Sequence, residues 1–170
     1  MPTTINVQSR PGIKPLIRLL RSRDPIQRAQ ARRSLVEMGK AATPDLTRLL
    51  TDRDEHVRWE AAKALVQIAD PAAIPALIEA LNDESADVRW LAAKAMIALR
   101  RDALQPLLTA LIERSKSIHF CRSAHHVLCS LARRRHDSIL SSVIESLESG
   151  ETGVTVPPAA EAVLAKLRQS

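Results

Sequence analysis

Nine residues recur almost unchanged in this chain. "VRWEAAKAL" runs from Val57 to Leu65 and "VRWLAAKAM" from Val88 to Met96, an offset of 31 positions. An internal period of this length marks a stacked array of helical units rather than one irregular core. Prolines keep the same beat at Pro15, Pro44, Pro75 and Pro106, separated by 29, 31 and 31 residues. Each opens a short run of apolar residues at helical spacing: "IKPLIRLL", "TPDLTRLL", "IPALIEAL" and "LQPLLTAL". Proline is tolerated in a first helical turn because the N–H it lacks has no partner there. A polar link and a longer apolar-periodic segment follow each run. Every unit therefore reads as a first helix, A, and a second helix, B.

Helix starts are marked chemically. Asp24 before Pro25, Asp54, Ser85, and Asp70 before Pro71 have the side chains that accept from the free amides of a first turn. The B helices align by register. Ala31, Ala61, Ala92 and Ala124 share one position, and Leu35, Leu65, Met96 and Leu128 a second. Met38, Ile68, Leu99 and Leu131 share a third. In the second unit, Val57, Ala61, Ala64, Leu65 and Ile68 form one apolar stripe. One helix pair cannot cover such a stripe, so neighbouring pairs must stack. Aromatic residues are 2% of the chain, with no Tyr and one Phe, so the core is built from Leu, Ala, Ile and Val. Four glycines and few β-branched runs favour helix over sheet.

The pattern "D-x4-D-V-R-W-x-A-A-x-A" resembles HEAT repeats, specifically the short HEAT repeats of phycobilisome lyase-type proteins. The likeness is strongest over 41–100, weaker over 13–40 and 102–132, and poor beyond. It implies an all-α fold: a right-handed α-solenoid of about five helix pairs. The expected division is an N-terminal tail, 1–12, and a single solenoid, 13–170. Its repeats fall near 13–39, 41–69, 72–100 and 102–135, with a degenerate cap over 136–168. In that cap "HDSILSSVIESLE" is the expected A helix, "SGETGVTV" the link and "PPAAEAVLAKL" the B helix. The resemblance also implies a structural ladder in which turn aspartates meet B-helix arginines along the stack. The matching positions are Asp52 and Asp83 with Arg28, Arg58 and Arg89. Ser22 replaces the first Asp and Cys121 the last Arg.

By the same resemblance the B helices line the concave side. The residues pointing away from the core stripe would then form a groove: Arg33, Trp59, Lys63, Trp90, Lys94, Arg122 and His126. Both tryptophans of the chain sit at one register position here. Trp and Arg anchor protein interfaces, so a concave protein-binding stripe is the leading expectation. An equally simple structural account has each Trp packed over the next B helix.

Charge adds a constraint. The net +6 is uneven. Residues 1–40 hold nine Lys/Arg against two Asp/Glu (+7), 41–100 seven against ten (−3), and 101–170 nine against seven (+2). An acidic protein partner fits the basic start. A phosphate backbone is a further reading, which the acidic middle interrupts. Three arginines in "LARRRHD" would sit in solvent at a helix end. Under the lyase-type reading the ligand is a bilin, with Arg33, Lys63 and Lys94 on its propionates.

Catalytic signatures are missing: no Gly-rich phosphate loop, no G-x-S-x-G and no H-E-x-x-H. A non-catalytic scaffold or adaptor without cofactor is expected. Cys121, His125 and Cys129 lie at i, i+4 and i+8. One straight helix cannot bring i and i+8, about 12 Å apart along the axis, to one metal ion or into one disulfide. Small buried thiols and His packing between repeats are expected there. The absence of an apolar leader or a long apolar run points to a cytoplasmic protein with no membrane span.

Overall fold

A computed structural model describes residues 12–135 and 138–169. Among these residues the fold is ten α-helices and no strand, an α-solenoid. Helices α1 (Ile13–Leu19) and α2 (Pro25–Glu37) form the first pair, α3 (Thr43–Leu49) and α4 (Glu55–Ile68) the second. The third is α5 (Ile74–Ala80) with α6 (Ala86–Leu99), the fourth α7 (Arg101–Arg114) with α8 (Ile118–Arg135). Helices α9 (Ser141–Glu148) and α10 (Thr152–Arg168) follow as the fifth pair. Most of the expected tail (1–12) and His136 lie outside the described residues.

The caps act where their chemistry places them. Asp24 accepts from the Ile26 amide at 2.8 Å, Asp54 from His56 at 2.9 Å, and Asp70 from Ala72 at 3.2 Å. Ser85 accepts from Val88 at 3.4 Å and Ser117 from Phe120 at 3.3 Å. Each such cap contributes about 1 kcal/mol. Between pairs the chain turns through short 3-10 segments, Gly39–Ala42 and Pro71–Ala73, which bring Pro44 and Pro75 to the second position of their helices.

Packing follows the register. The B helices α2, α4, α6 and α8 lie side by side in one row, and α3, α5 and α7 in the other. Ala31, Ala61, Ala92 and Ala124 are fully covered; their small side chains let helix backbones approach. Leu35, Leu65, Met96 and Leu128 fill the space between, each contributing about 1.5–3 kcal/mol on burial. The lone phenylalanine, Phe120, is fully buried.

Two expectations fail at the C-terminal end. Pro106 does not open its helix, because α7 begins at Arg101, five residues earlier. Arg100 takes φ 55° and ψ −117°, turning the chain so sharply that α7 follows α6 with no link. Likewise "TGVTV" is not link but the first turns of α10, with Pro157 and Pro158 inside the helix. The helix runs on because proline's φ is helical, at the cost of two missing amide bonds. The Val154 and Thr155 amides close the first turn on the Glu151 carbonyl.

The last pair also exchanges its rows. Helix α10 packs along α7, whereas α9 lies beside α8. The Thr152 hydroxyl, at the start of α10, donates to the Ser115 carbonyl at the end of α7 (2.7 Å). His125, ten residues before the end of α8, meets Glu148 at the end of α9. Both packings are therefore antiparallel. A long α7, unbroken by a 3-10 turn, offers the 17-residue α10 a matching wall, and the eight-residue α9 is left for the B row.

Candidate functional site

The face presented by the B row is built from the positions that the core stripe leaves over. Trp90 on α6 is 53% exposed. The Lys94 ammonium lies 4.3 Å from its ring centroid, one turn further along the helix. Around them is a cleft of about 620 Å³ between α4, α6 and α8. Its walls include Val66, Ile97 and Ala98, and its rim His126, Ser130 and Arg133. None of its lining residues is acidic.

Trp59, in the matching position on α4, is in a different setting. It is half-buried, with the Lys63 ammonium 4.1 Å from its ring centroid and the Arg32 guanidinium 5.9 Å away. Its cleft, about 310 Å³, is lined by Arg28, Glu55, His56, Glu60 and Asp87. The two copies of one sequence phrase thus line unlike clefts: three carboxylates beside Arg28 and His56 at Trp59, and Lys94, His126 and Arg133 with no acid at Trp90.

A buried charge explains the difference. Glu60 is 4% exposed and pairs with Arg32, with the Arg28 Nε 3.6 Å away. In the first unit Arg32 stands where the next two have Ala62 and Ala93; in the second, Glu60 stands where the third has Leu91. The two departures compensate one another across the α2–α4 contact. The same register position in the fourth unit is His125, which bonds Glu148 of α9 (Nε2 to Oε1, 3.0 Å).

Of the proposed stripe, Trp90, Lys94 and His126 come together in the larger cleft. Trp59 and Lys63 form their own stack. Arg33 is exposed and reaches back to the Ala29 carbonyl of its own helix at 3.4 Å. Arg122 lines a separate cleft at α8, α9 and α10 with Cys121, His125 and Glu148. Arg133 and Ser130 also line this cleft; in the sequence Arg133 reads as one of three solvent-facing arginines, and Ser130 carries no signal of its own.

The ladder positions divide similarly. Arg58, 5% exposed, donates through Nε and a terminal nitrogen to Asp83 at 2.8 and 3.0 Å. It also reaches Glu84 at 3.0 Å and the Asp52 and Arg53 carbonyls at 2.9 and 3.3 Å. The Asp83 bond, burial notwithstanding, raises the Arg58 pKa further. Arg89 donates to the Asp83 and Glu84 carbonyls at 2.7 and 2.9 Å. Arg28 does the same to Ser22 and Arg23 at 2.9 and 3.1 Å. Cys121 directs its thiol to the Ser115 carbonyl at 3.2 Å. The element common to all four units is thus a bond to the turn carbonyl six residues back. A carboxylate joins it at Arg58. Asp52 pairs instead with Arg21 of the preceding unit.

Cys129 lies 3.4 Å from the His125 Nε2, the same nitrogen that meets Glu148. A thiol–imidazole relay needs the acid on the other ring nitrogen. Burial first, and the Glu148 charge second, push the Cys129 thiol up, and burial does the same to Cys121. Both thiols are free. Among the described residues no group of three His, Cys, Asp or Glu side chains is placed to hold a metal ion, and no helix is long and apolar enough to cross a membrane.

The family model for HEAT repeats matches residues 13–97 and 50–124. The chain belongs to the HEAT-repeat family. Among solved structures, this HEAT-repeat chain is similar to one from the complex of CpcE and CpcF of phycocyanin lyase from Nostoc. The two are 26% identical with a TM-score of 0.61, over 93% of this chain and 98% of that one. An engineered protein matches at 20% identity and a TM-score of 0.45, over 93% of this chain and 80% of that one. No curated protein matches in sequence.

Proposed function

We propose that this HEAT-repeat chain is a non-catalytic scaffold that holds a protein partner against its B-helix face, an acidic surface being the preferred target. The carrying observation is Trp90: a large side chain left 53% exposed in a cleft lined by Lys94, His126 and Arg133 and by no acidic residue. Exposed aromatic anchors in apolar clefts are where interface energy concentrates. Two free thiols with raised pKa fit a reducing compartment, so the proposed setting is the cytoplasm. A photo-crosslinking residue placed at position 90 in living cells is expected to trap one protein species. The same residue at the exposed position 48 on α3 is expected to trap none. Equal trapping at both positions, or none at 90, refutes the reading.

A second reading rests on the similarity to a chain of the phycocyanin lyase complex, 98% of which this chain covers. Here the chain is one subunit of a two-chain, bilin-handling assembly. Lys63 and Lys94, standing over their tryptophans, and Arg33 supply cations for propionates. Mixing the chain with a bilin then shifts the pigment's visible absorbance; an unchanged spectrum removes this reading. Binding to a phosphate backbone gains less support, because Glu55, Glu60 and Asp87 interrupt the basic track on this face.

A further inference from the structure

Basic side chains of this molecule differ in whether an acid already holds them. Arg21, Arg32, Arg58 and Arg114 each pair with a carboxylate of another helix or turn. Lys94, His126 and Arg133 do not: among the described residues no ion pair joins them to an acid. Those three converge on one cleft. Charge near a helix C-terminus is a familiar stabilising device, but its reach is the last turn. It accounts for Arg133, two residues from the end of α8, and not for Lys94 or His126. Those lie five and nine residues from the ends of α6 and α8.

The walls of the cleft point to the second half of its ligand. Val66 and Ile97 are half-buried apolar side chains, and Trp90 lines the same cleft with Lys94 stacked on it. Stacking holds the ammonium at the ring rather than loose in solvent, so a carboxylate arriving there meets a positioned charge. The Trp59 cleft differs: three carboxylates, with Arg28 and His56, surround a ring already approached by Lys63 and Arg32.

We infer that the Trp90 cleft is the specificity subsite of the B-helix face, and that it takes a peptide segment of the partner in which an apolar side chain is flanked by carboxylates. The inference rests on the reading that this face holds a protein. The apolar residue lies against Val66, Ile97 and the Trp90 ring, and the carboxylates meet Lys94, His126 and Arg133. The Trp59 cleft rejects the same acidic segment, so the two tryptophans are not equivalent in binding.

Selection of displayed random peptides on the full chain tests this. Enriched sequences are expected to carry Asp or Glu beside Leu, Ile, Phe or Trp. A fluorescein-labelled synthetic copy of the most enriched sequence is expected to lose about tenfold or more in affinity on Trp90→Ala. The double change Lys94→Glu with Arg133→Glu should cost a similar factor, and Trp59→Ala less than about twofold. All four positions are exposed or half-exposed, and circular dichroism confirms folding of each variant. Enrichment of basic or purely apolar sequences overturns the inference. So does affinity indifferent to Lys94→Glu with Arg133→Glu, or equal binding of an oligonucleotide. If affinity falls instead with Trp59→Ala or Lys63→Glu, the subsite is wrong while the partner-binding face stands. If no peptide is enriched, this subsite is refuted, and crosslinking at position 90 decides the broader reading separately.

Discussion

Replacing Arg58 with alanine tests the account of what staples the array. Arg58 is 5% exposed and makes five bonds: two to Asp83, one to Glu84 and two to the turn carbonyls of Asp52 and Arg53. The Asp83 side chain is itself 9% exposed. Its Oδ1 also accepts the Ser85 amide at 2.8 Å, so it cannot swing out to water without releasing the start of α6. Arg58→Ala therefore strands a largely buried carboxylate, which costs about 3–5 kcal/mol. For a chain of this size that lowers Tm by roughly 10 °C. Arg58→Met with Asp83→Leu removes both charges and refills the space. Its residual cost is about 1–3 kcal/mol, from turn carbonyls that lose their donor. Urea unfolding followed by far-UV circular dichroism gives both numbers. If the single change costs under about 1 kcal/mol, a level expected of a surface pair, the staple is not one. If the double variant is no more stable than the single, Arg58 is held by the carbonyls and not by Asp83.

Two further outcomes follow from the titrating groups. Burial raises the Asp52 carboxyl, but bonds from Arg21 and the Asp54 amide, with the charges of Arg21 and Arg58, outweigh it and leave the group below its ordinary range. Bonding to Arg114 does the same for Glu79 against a smaller burial effect. Both carboxylates thus stabilise the fold above the unfolded values of about 4 to 4.3, and that contribution is lost as pH falls through the lower folded values. Asp52→Asn is expected to flatten the loss of Tm below about pH 4; an acid limb identical to wild type refutes the pairing. The thiols give the second outcome. With both pKa values raised, alkylation of native protein at mildly alkaline pH is slow, Cys121 slower than the less buried Cys129. In urea both react at the rate of an ordinary thiol. Fast native labelling of Cys121 would contradict its burial against the Ser115 carbonyl.

The architecture was legible because HEAT units repeat their errors as well as their rules. Asp24, Asp54, Asp70 and Ser85 announce helix starts by chemistry that operates within three residues, and the register of Ala61 and Leu65 announces which face is covered. What local pattern does not carry is the choice between rows. Pro157–Pro158 reads as a helix start in any window, yet α10 begins at Thr152 because its first turn docks on α7 through Ser115. That contact spans 37 residues. The buried Glu60 is intermediate. Alone it looks like a solvent-facing residue between Trp59 and Ala61. Set beside Arg32, where the next two units have alanine, it reads as half of a compensating pair. Of the unlike character of the two Trp clefts, "VRWEAAKAL" and "VRWLAAKAM" carry only the exchange of Glu60 for Leu91; the rest is supplied by Asp87, His126 and Arg133 from neighbouring helices.

The antiparallel last pair has an electrical meaning. From α2 to α8 the B helices repeat one register, so their backbone dipoles run the same way and add. One rim of the row collects partial positive charge, where Asp24, Asp54 and Asp87 are stationed at the helix starts; the opposite rim collects partial negative charge. Within the B row each parallel helix adds to that imbalance, and the antiparallel A helix of the same unit offsets it. Helix α9 points the other way, cancelling part of the field of α8, as α10 does for α7. The reversal also presents a face on which a sixth copy of the 31-residue unit finds no matching register. Polarity and register are therefore continuous along the B row from α2 to α8, and both change at α9 and α10.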